Sequence, residues 1–208
     1  ASGAITSNSG IQTGGSGTVY LSSGASTTIN SISTVAGDVQ LLSGGTLTLG
    51  SINAGTGRVY LQATNDIQDS DALSNSTNVT ASALAMRAGG KIGNSDTGAA
   101  SSTNRNAIGT RVTTLAAESA TGIYVQEADG VTIDLVNVSV NRVNFNSTKT
   151  AQSQTLEDLT TTNNGPVKLQ SLAGNVVINA GTAGTNGITA HGSGDILLQT
   201  LTSGSVIT

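Results

Sequence analysis

Gly17-Thr18-Val19-Tyr20-Leu21, Gly37-Asp38-Val39-Gln40-Leu41 and Gly57-Arg58-Val59-Tyr60-Leu61 are three copies of one block, Gly-x-Val-x-Leu, each 20 residues after the last. In an extended strand the Val and Leu share one face, and Thr18 and Tyr20 take the other. Related copies lie between them: Thr28-Ile29-Asn30-Ser31-Ile32 and Leu47-Thr48-Leu49-Gly50-Ser51-Ile52. Later ones are Gly122-Ile123-Tyr124-Val125, Gly165-Pro166-Val167-Lys168-Leu169 and Gly194-Asp195-Ile196-Leu197-Leu198. A longer match pairs Gly10-Ile11, Gly15-Ser16-Gly17, Val19 and Leu21 with Gly187-Ile188, Gly192-Ser193-Gly194, Ile196 and Leu198, at a constant offset of 177 (187 − 10). Self-similarity at a fixed period marks a repeat architecture.

Each block alternates apolar and polar residues between Gly, Asn, Ser or Asp, the pattern of short strands separated by turns. No stretch has the pattern of a long amphipathic helix. Ala81 to Ala88 comes nearest, but Val79, Ala81, Ala83 and Ala85 fit one face of a strand. Antiparallel hairpins favour tight two-residue turns, and only Asn164-Gly165 and Asn186-Gly187 supply the Asn-Gly pair. A parallel coil explains the spacing better. It stacks Val19, Val39 and Val59 in one column and Leu21, Leu41 and Leu61 in the next, with Gly17, Gly37 and Gly57 at a crowded corner. The expected fold is all-β, a parallel β-solenoid with coils of about 20 residues stacked ~4.8 Å apart. Residues 1–208 are expected to form a single β-solenoid segment of a longer repeat array or fibre, with irregular loops near 62–78, 93–106 and 146–164.

Composition agrees. Of 208 residues, 27 are Gly, three Tyr and one Phe, with no Trp, which is too little aromatic bulk for an ordinary globular core. Charged residues make up 10%, against roughly 25% in a typical domain, so charge-driven disorder does not fit either. A thin aliphatic core spread along an axis does. The absence of Cys excludes disulfides and thiolate metal sites. A net charge of −4 argues against a nucleic-acid surface. No apolar run reaches the ~20 residues of a membrane-spanning helix.

The rhythm of residues 37–52, Gly-Asp-Val-x-Leu followed by Ser-Gly-Gly-Thr-Leu-Thr-Leu-Gly-Ser-Ile, resembles the filamentous haemagglutinin-type repeats of large bacterial exoproteins. Residues 122–133 and 194–199 share it. The resemblance implies a right-handed parallel β-helix, secretion to the extracellular space or bacterial cell surface, and a role as adhesin, biofilm component or stalk. It brings no catalytic residue with it.

Several residues bear on chemistry. Asp66, Asp69 and Asp71 alternate and are the candidate Ca²⁺ ligands, since Ca²⁺ takes oxygen donors; the alternative is an acidic solvated loop. No other cofactor is expected. Glycoside hydrolysis needs two carboxylates across a cleft, and Glu127/Asp129 and Glu157/Asp158 are the near pairs. His191 is the one His and reads as a turn residue. Tyr20 and Tyr60 share a repeat position and form either an outward contact stripe or a plain solvent face. Asn-x-Ser/Thr occurs at Asn75, Asn78, Asn137 and Asn146, in a composition where such matches arise by chance. Ser2-Gly-Ala-Ile-Thr6 and Ser203-Gly-Ser-Val-Ile-Thr208 are two versions of one strand block, and neither carries an amphipathic cap. Uncapped edges invite pairing with another chain. The expected function is a structural or adhesive module that stacks end to end with copies of itself and faces a host or matrix surface. The alternatives are recognition of glycan or protein through loops and, behind that, a polysaccharide-active enzyme.

Overall fold

A computed structural model describes residues 2–71, 76–95, 106–182, 184 and 186–208. It puts close approach of backbones at the glycine corner. A Cβ on Gly37 would overlap the Gly17 carbonyl oxygen and lie 2.5 Å from its carbon, and one on Gly57 would overlap the Gly37 carbonyl. Glycine is the residue that allows backbones this near. Beyond the corner run β1 (Ile5–Gln12), β2 (Val19–Ser23), β3 (Thr27–Ser33), β4 (Val39–Ser43), β5 (Leu47–Asn53) and β6 (Arg58–Ala63). They pair in parallel and in register, Val19 to Val39 to Val59 and Leu21 to Leu41 to Leu61. Val39, Val59, Leu41 and Leu61 are fully buried.

The chain continues through β7 (Ile67–Asp69), β8 (Val79–Ala88), β9 (Lys91–Ile92), β10 (Ile108–Ser119), β11 (Gly122–Glu127) and β12 (Val131–Ile133). It ends with β13 (Val136–Val143), β14 (Lys149–Leu156), β15 (Leu159–Thr161), β16 (Val167–Ser171), β17 (Val176–Ile178), β18 (Ile188–Thr189) and β19 (Ile196–Thr200). No helix occurs among the described residues. Seventeen strands form one parallel sheet, and β13 and β14 form a separate antiparallel pair.

The sheet closes on itself. β5 pairs with β7, β7 with β9, β9 with β11, β11 with β10, β10 with β8, and β8 with β5 again. These six strands make a closed parallel barrel, and the remaining strands of the sheet lie outside it. This replaces the expected right-handed β-helix of uniform 20-residue coils. The step between paired residues is 20 only in the early strands. It becomes 25 from Val59 to Leu84 (84 − 59), 31 from Met86 to Ala117 (117 − 86) and 44 from Ile123 to Val167 (167 − 123). One local cause is visible in β8. Arg58 pairs with Ala83, so Ser82 stands where the corner glycine would be, and it donates from both N and Oγ to Gly57 O. Without a turn there, β8 runs on from β5 to β6 as one strand. Val79, Ala81, Leu84 and Met86 face the main core, whereas Ala83 and Ala85 face out, so the expected single face of Val79 to Ala85 switches at Ser82.

The 177-residue match does not mark equivalent places. Val19 heads a column through Val39, Val59, Leu84, Leu115, Ile133 and Ile178. Ile196 ends another, reached from Ile5 through Thr27, Leu47, Ile67, Ile92, Ile123 and Val167.

Residues 146–164 are not one irregular loop either. β14 pairs with β13 from Val136–Leu156 to Val143–Lys149, and β15 returns to the parallel sheet. The hairpin lays Val136, Val138, Val140 and Leu156 over Tyr60, Ala83, Ala85 and Ala116, with Tyr20 and Leu42 alongside. The tyrosine stripe is therefore covered at Tyr60 and half-covered at Tyr20. Of the other two expected loops, 62–78 contains the end of β6 and all of β7, while its residues 72–75, and residues 96–105 of the loop near 93–106, lie outside the described residues.

Covering the stripe has a cost. Gln40, paired with Tyr20 on one side and Tyr60 on the other, is fully buried, and neither amide atom has a hydrogen-bond partner. An unsatisfied buried amide costs about 1–3 kcal/mol. Gln40→Leu is expected to raise stability by about 1–2 kcal/mol, read as a higher urea midpoint at unchanged slope. A lower midpoint would mean that the tyrosine rings satisfy the amide.

Candidate functional site

The two outer ends of the ladder carry the least satisfied surface. Among the described residues β1 pairs only with β3 and β2 only with β4, so each leaves one edge of N–H and C=O groups unpaired by any described strand. The hairpin extends past β2. Its tip carries Val143, largely exposed, and Phe145, fully exposed. Between tip and edge lies a groove of 930 Å³, lined among others by Ile5, Ile11, Tyr20, Leu21, Val143 and Phe145. At the far end, among the described residues, β19 pairs only with β16, and Ile196, Leu197, Leu201, Val206 and Ile207 are all at least 40% exposed. Those five large apolar side chains lie within one short stretch at this open end, with neighbours such as Ile196 and Leu197 on opposite faces of the strand.

The hairpin is fastened to the wall below it by a series of polar contacts. Arg58 Nη1 donates to Asn137 O at 2.9 Å, Ser139 N donates to Asp38 Oδ2 at 3.1 Å, and Asn141 N donates to Thr18 Oγ1 at 2.9 Å. A second series lies on another part of the wall. Gln126 Nε2 donates to Gln170 Oε1 at 3.0 Å, and Gln170 Nε2 donates to Gln199 Oε1 at 2.9 Å. Such a glutamine ladder reinforces in-register parallel pairing, and this one runs to the open edge at β19.

The carboxylates of the sequence reading fall in different places. Asp66 and Asp69 line one cavity of 230 Å³ together with Gln68, Lys91 and Asn94; Asp71 does not. Asp66 Oδ1 accepts from Lys91 N, and Asp69 Oδ1 accepts from Asn78 Nδ2 at 2.7 Å and from Asp71 N at 3.0 Å. Lys91 on the same wall works against a bound cation, and no cluster of three metal-ligating side chains occurs among the described residues. Asn78, one of the Asn-x-Ser/Thr matches, is buried. Its amide also donates to Leu49 O and Gly50 O, and its Oδ1 accepts from Gly109 N. It locks the junction of three strands, a role that no motif signalled. Asn137 and Asn146 are exposed, and Asn75 lies outside the described residues.

Glu127 is fully buried, whereas Asp129 is half exposed and sits 3.5 Å from Arg111. The pair does not flank a cleft as glycoside hydrolysis requires. Glu127 instead fills a gap in the ladder. Thr110 Oγ1 lies 2.6 Å from its Oε2, and Val112 N and Ala128 N donate to Oε1 at 3.2 and 3.1 Å. Burial, the largest influence, pushes its carboxyl up to about 7 despite these donors. Glu157 and Asp158 do border a cleft, of 410 Å³, beside Arg87 and Glu118. Glu157 Oε2 accepts from Thr182 N and Oγ1, and Asp158 Oδ1 accepts from Gly181 N. Burial raises the Asp158 carboxyl above its ordinary value. His191 stays exposed in a turn next to Gly192, whose φ is 61°.

No family model matches the chain, and neither a curated protein nor a solved structure matches it.

Proposed function

We propose that the chain is a structural module of a secreted bacterial surface protein, and that copies associate end to end through their open sheet edges. One observation carries the reading. A single column runs through eight parallel strands, from Ile5 on β1 to Ile196 on β19, and among the described residues the outer edge of each terminal strand is unpaired. Setting β19 of one copy against β1 of the next repeats the contact already made seven times inside the chain. Such a head-to-tail contact uses two different surfaces and generates open assemblies. The bacterial surface setting rests on the haemagglutinin-like blocks alone.

The expected result is growth of one dimension with concentration in small-angle scattering, in steps of one molecular length. A monomer at every concentration up to solubility rejects the reading.

A second reading, glycan or protein recognition, has the cleft beside Arg87, Glu118, Glu157 and Asp158 in its favour. It requires saturable binding of a surface glycan or protein that Arg87→Ala abolishes.

A further inference from the structure

The hairpin and the wall beneath it keep a common step. Each move of two residues along β13, from Asn137 to Ser139 to Asn141, meets a polar side chain one strand nearer the open edge: Arg58, then Asp38, then Thr18. Alternation points the Val143 N–H to the same side as those of Ser139 and Asn141. Beyond β2 no further strand of the wall occurs among the described residues, and the Val143 position and the exposed Phe145 overhang the groove.

The opposite end of the chain carries what the next step calls for. Arg58 pairs with Ala83, Ala83 with Thr114, Thr114 with Thr132 and Thr132 with Val177. Ile207 bridges Val176, and Ile178 N donates to Thr208 O at 2.7 Å, which places Thr208 across from Val177 in the same column. Thr208 is thus the far-end counterpart of Thr18, Asp38 and Arg58. The spacing agrees too. Thr208 follows Ile196 by 12 residues (208 − 196), and Asp38 follows Thr27 by 11 (38 − 27), so both columns can be continued at once.

We infer that the overhanging hairpin tip is a latch for a second copy of this chain: it covers that copy's Val206–Thr208 segment while the copy's β19 pairs with β1. Val143 N donates to Thr208 Oγ1 of the second copy, and Phe145 covers its exposed Val206, which alternation places on the same face as Thr208. This deepens the end-to-end reading and rests on it. The latch also sets the register. Ile196 lies opposite Ile5 and Leu197 opposite Thr6, and a strand shifted by one residue loses the Thr208 contact.

The test uses the full chain, which has no Cys of its own. Thr6 and Leu197 are both exposed, and neighbouring strands ~4.8 Å apart lie within disulfide reach. Thr6→Cys mixed with Leu197→Cys is expected to give a disulfide-linked pair on mild oxidation, and neither variant alone is expected to crosslink. Adding Phe145→Ser, or Thr208→Val, is expected to weaken association by about tenfold with unchanged thermal unfolding of the monomer. No association by the parent chain overturns the assembly reading itself. Association and crosslinking that Phe145→Ser and Thr208→Val leave untouched overturn the latch alone. Thr6-to-Thr6 crosslinks overturn the head-to-tail arrangement.

Discussion

Acidification from pH 8 to pH 5 is expected to stabilise the folded chain through Glu127, by about 3 kcal/mol for a rise of this size. Its carboxyl is fully buried and holds its proton up to about pH 7, against an ordinary value of 4.5. Between those two values the folded chain binds a proton that the unfolded chain has released. Stability therefore falls as pH rises through this window. The loss is complete above about pH 7 and absent below about 4.5. Asp158, also raised, adds in the same direction, while Asp134, lowered chiefly by its bond from Asn179, acts only below its ordinary value of 3.8 and so outside this range. Glu127→Gln isolates the group. It keeps an oxygen for Val112 N and Ala128 N and removes the titration. Urea unfolding of both proteins at pH 5, 6, 7 and 8 is the measurement. The difference between parent and variant should change by about 3 kcal/mol across the series. A difference that stays constant with pH would show that Glu127 does not change its proton on folding.

The sequence made the early ladder legible because period and chemistry coincide there. Gly17, Gly37 and Gly57 are glycines for a reason of contact, and the Val and Leu that follow them must face inward. The same simplicity misled elsewhere. Any strand that leaves a crowded corner needs a glycine and two inward apolar residues, so Gly17-x-Val19-x-Leu21 and Gly194-x-Ile196-x-Leu198 look alike although they lie on different walls. Barrel closure was hidden because it depends on a missing signal, Ser82 in place of a corner glycine, and on strands that each pair with several others. The hairpin was half visible. Val136, Val138 and Val140 alternate cleanly, but its turn uses Ser147 at φ 65° and a bond from Asn144 N to Thr148 O in place of an Asn-Gly pair. Once it is in place, Tyr60 becomes a core residue and Tyr20 is left half-buried at the groove, and the surface that remains for partners moves to the ends of the ladder.

Gly37→Ala should be the most damaging of the single-methyl changes at the corner, although Gly37 is outside the left-handed backbone region and Ala is a mild residue. The added Cβ would overlap Gly17 O and stand 2.5 Å from Gly17 C. A flexible side chain can yield to such an intrusion, but a carbonyl fixed in a ladder cannot do so freely. Here the neighbouring pairing is held by Val19 N to Asp38 O and Ala36 N to Gly15 O, both at 3.0 Å. Relief means spreading β2 from β4, which weakens these bonds and exposes the Val19–Val39 contact. A loss of about 3 kcal/mol or more follows from overpacking combined with broken ladder bonds. Gly14→Ala, a few residues away, is the matched control. Its Cβ meets nothing within 4 Å, and its effect should stay within about 0.5 kcal/mol. Thermal and urea unfolding of the two variants decide the matter. If Gly37→Ala unfolds like Gly14→Ala, the strands are not held as close at that corner as the glycine column requires. The closeness matters beyond stability, because any strand added at the open edge must meet Gly17 at the same spacing.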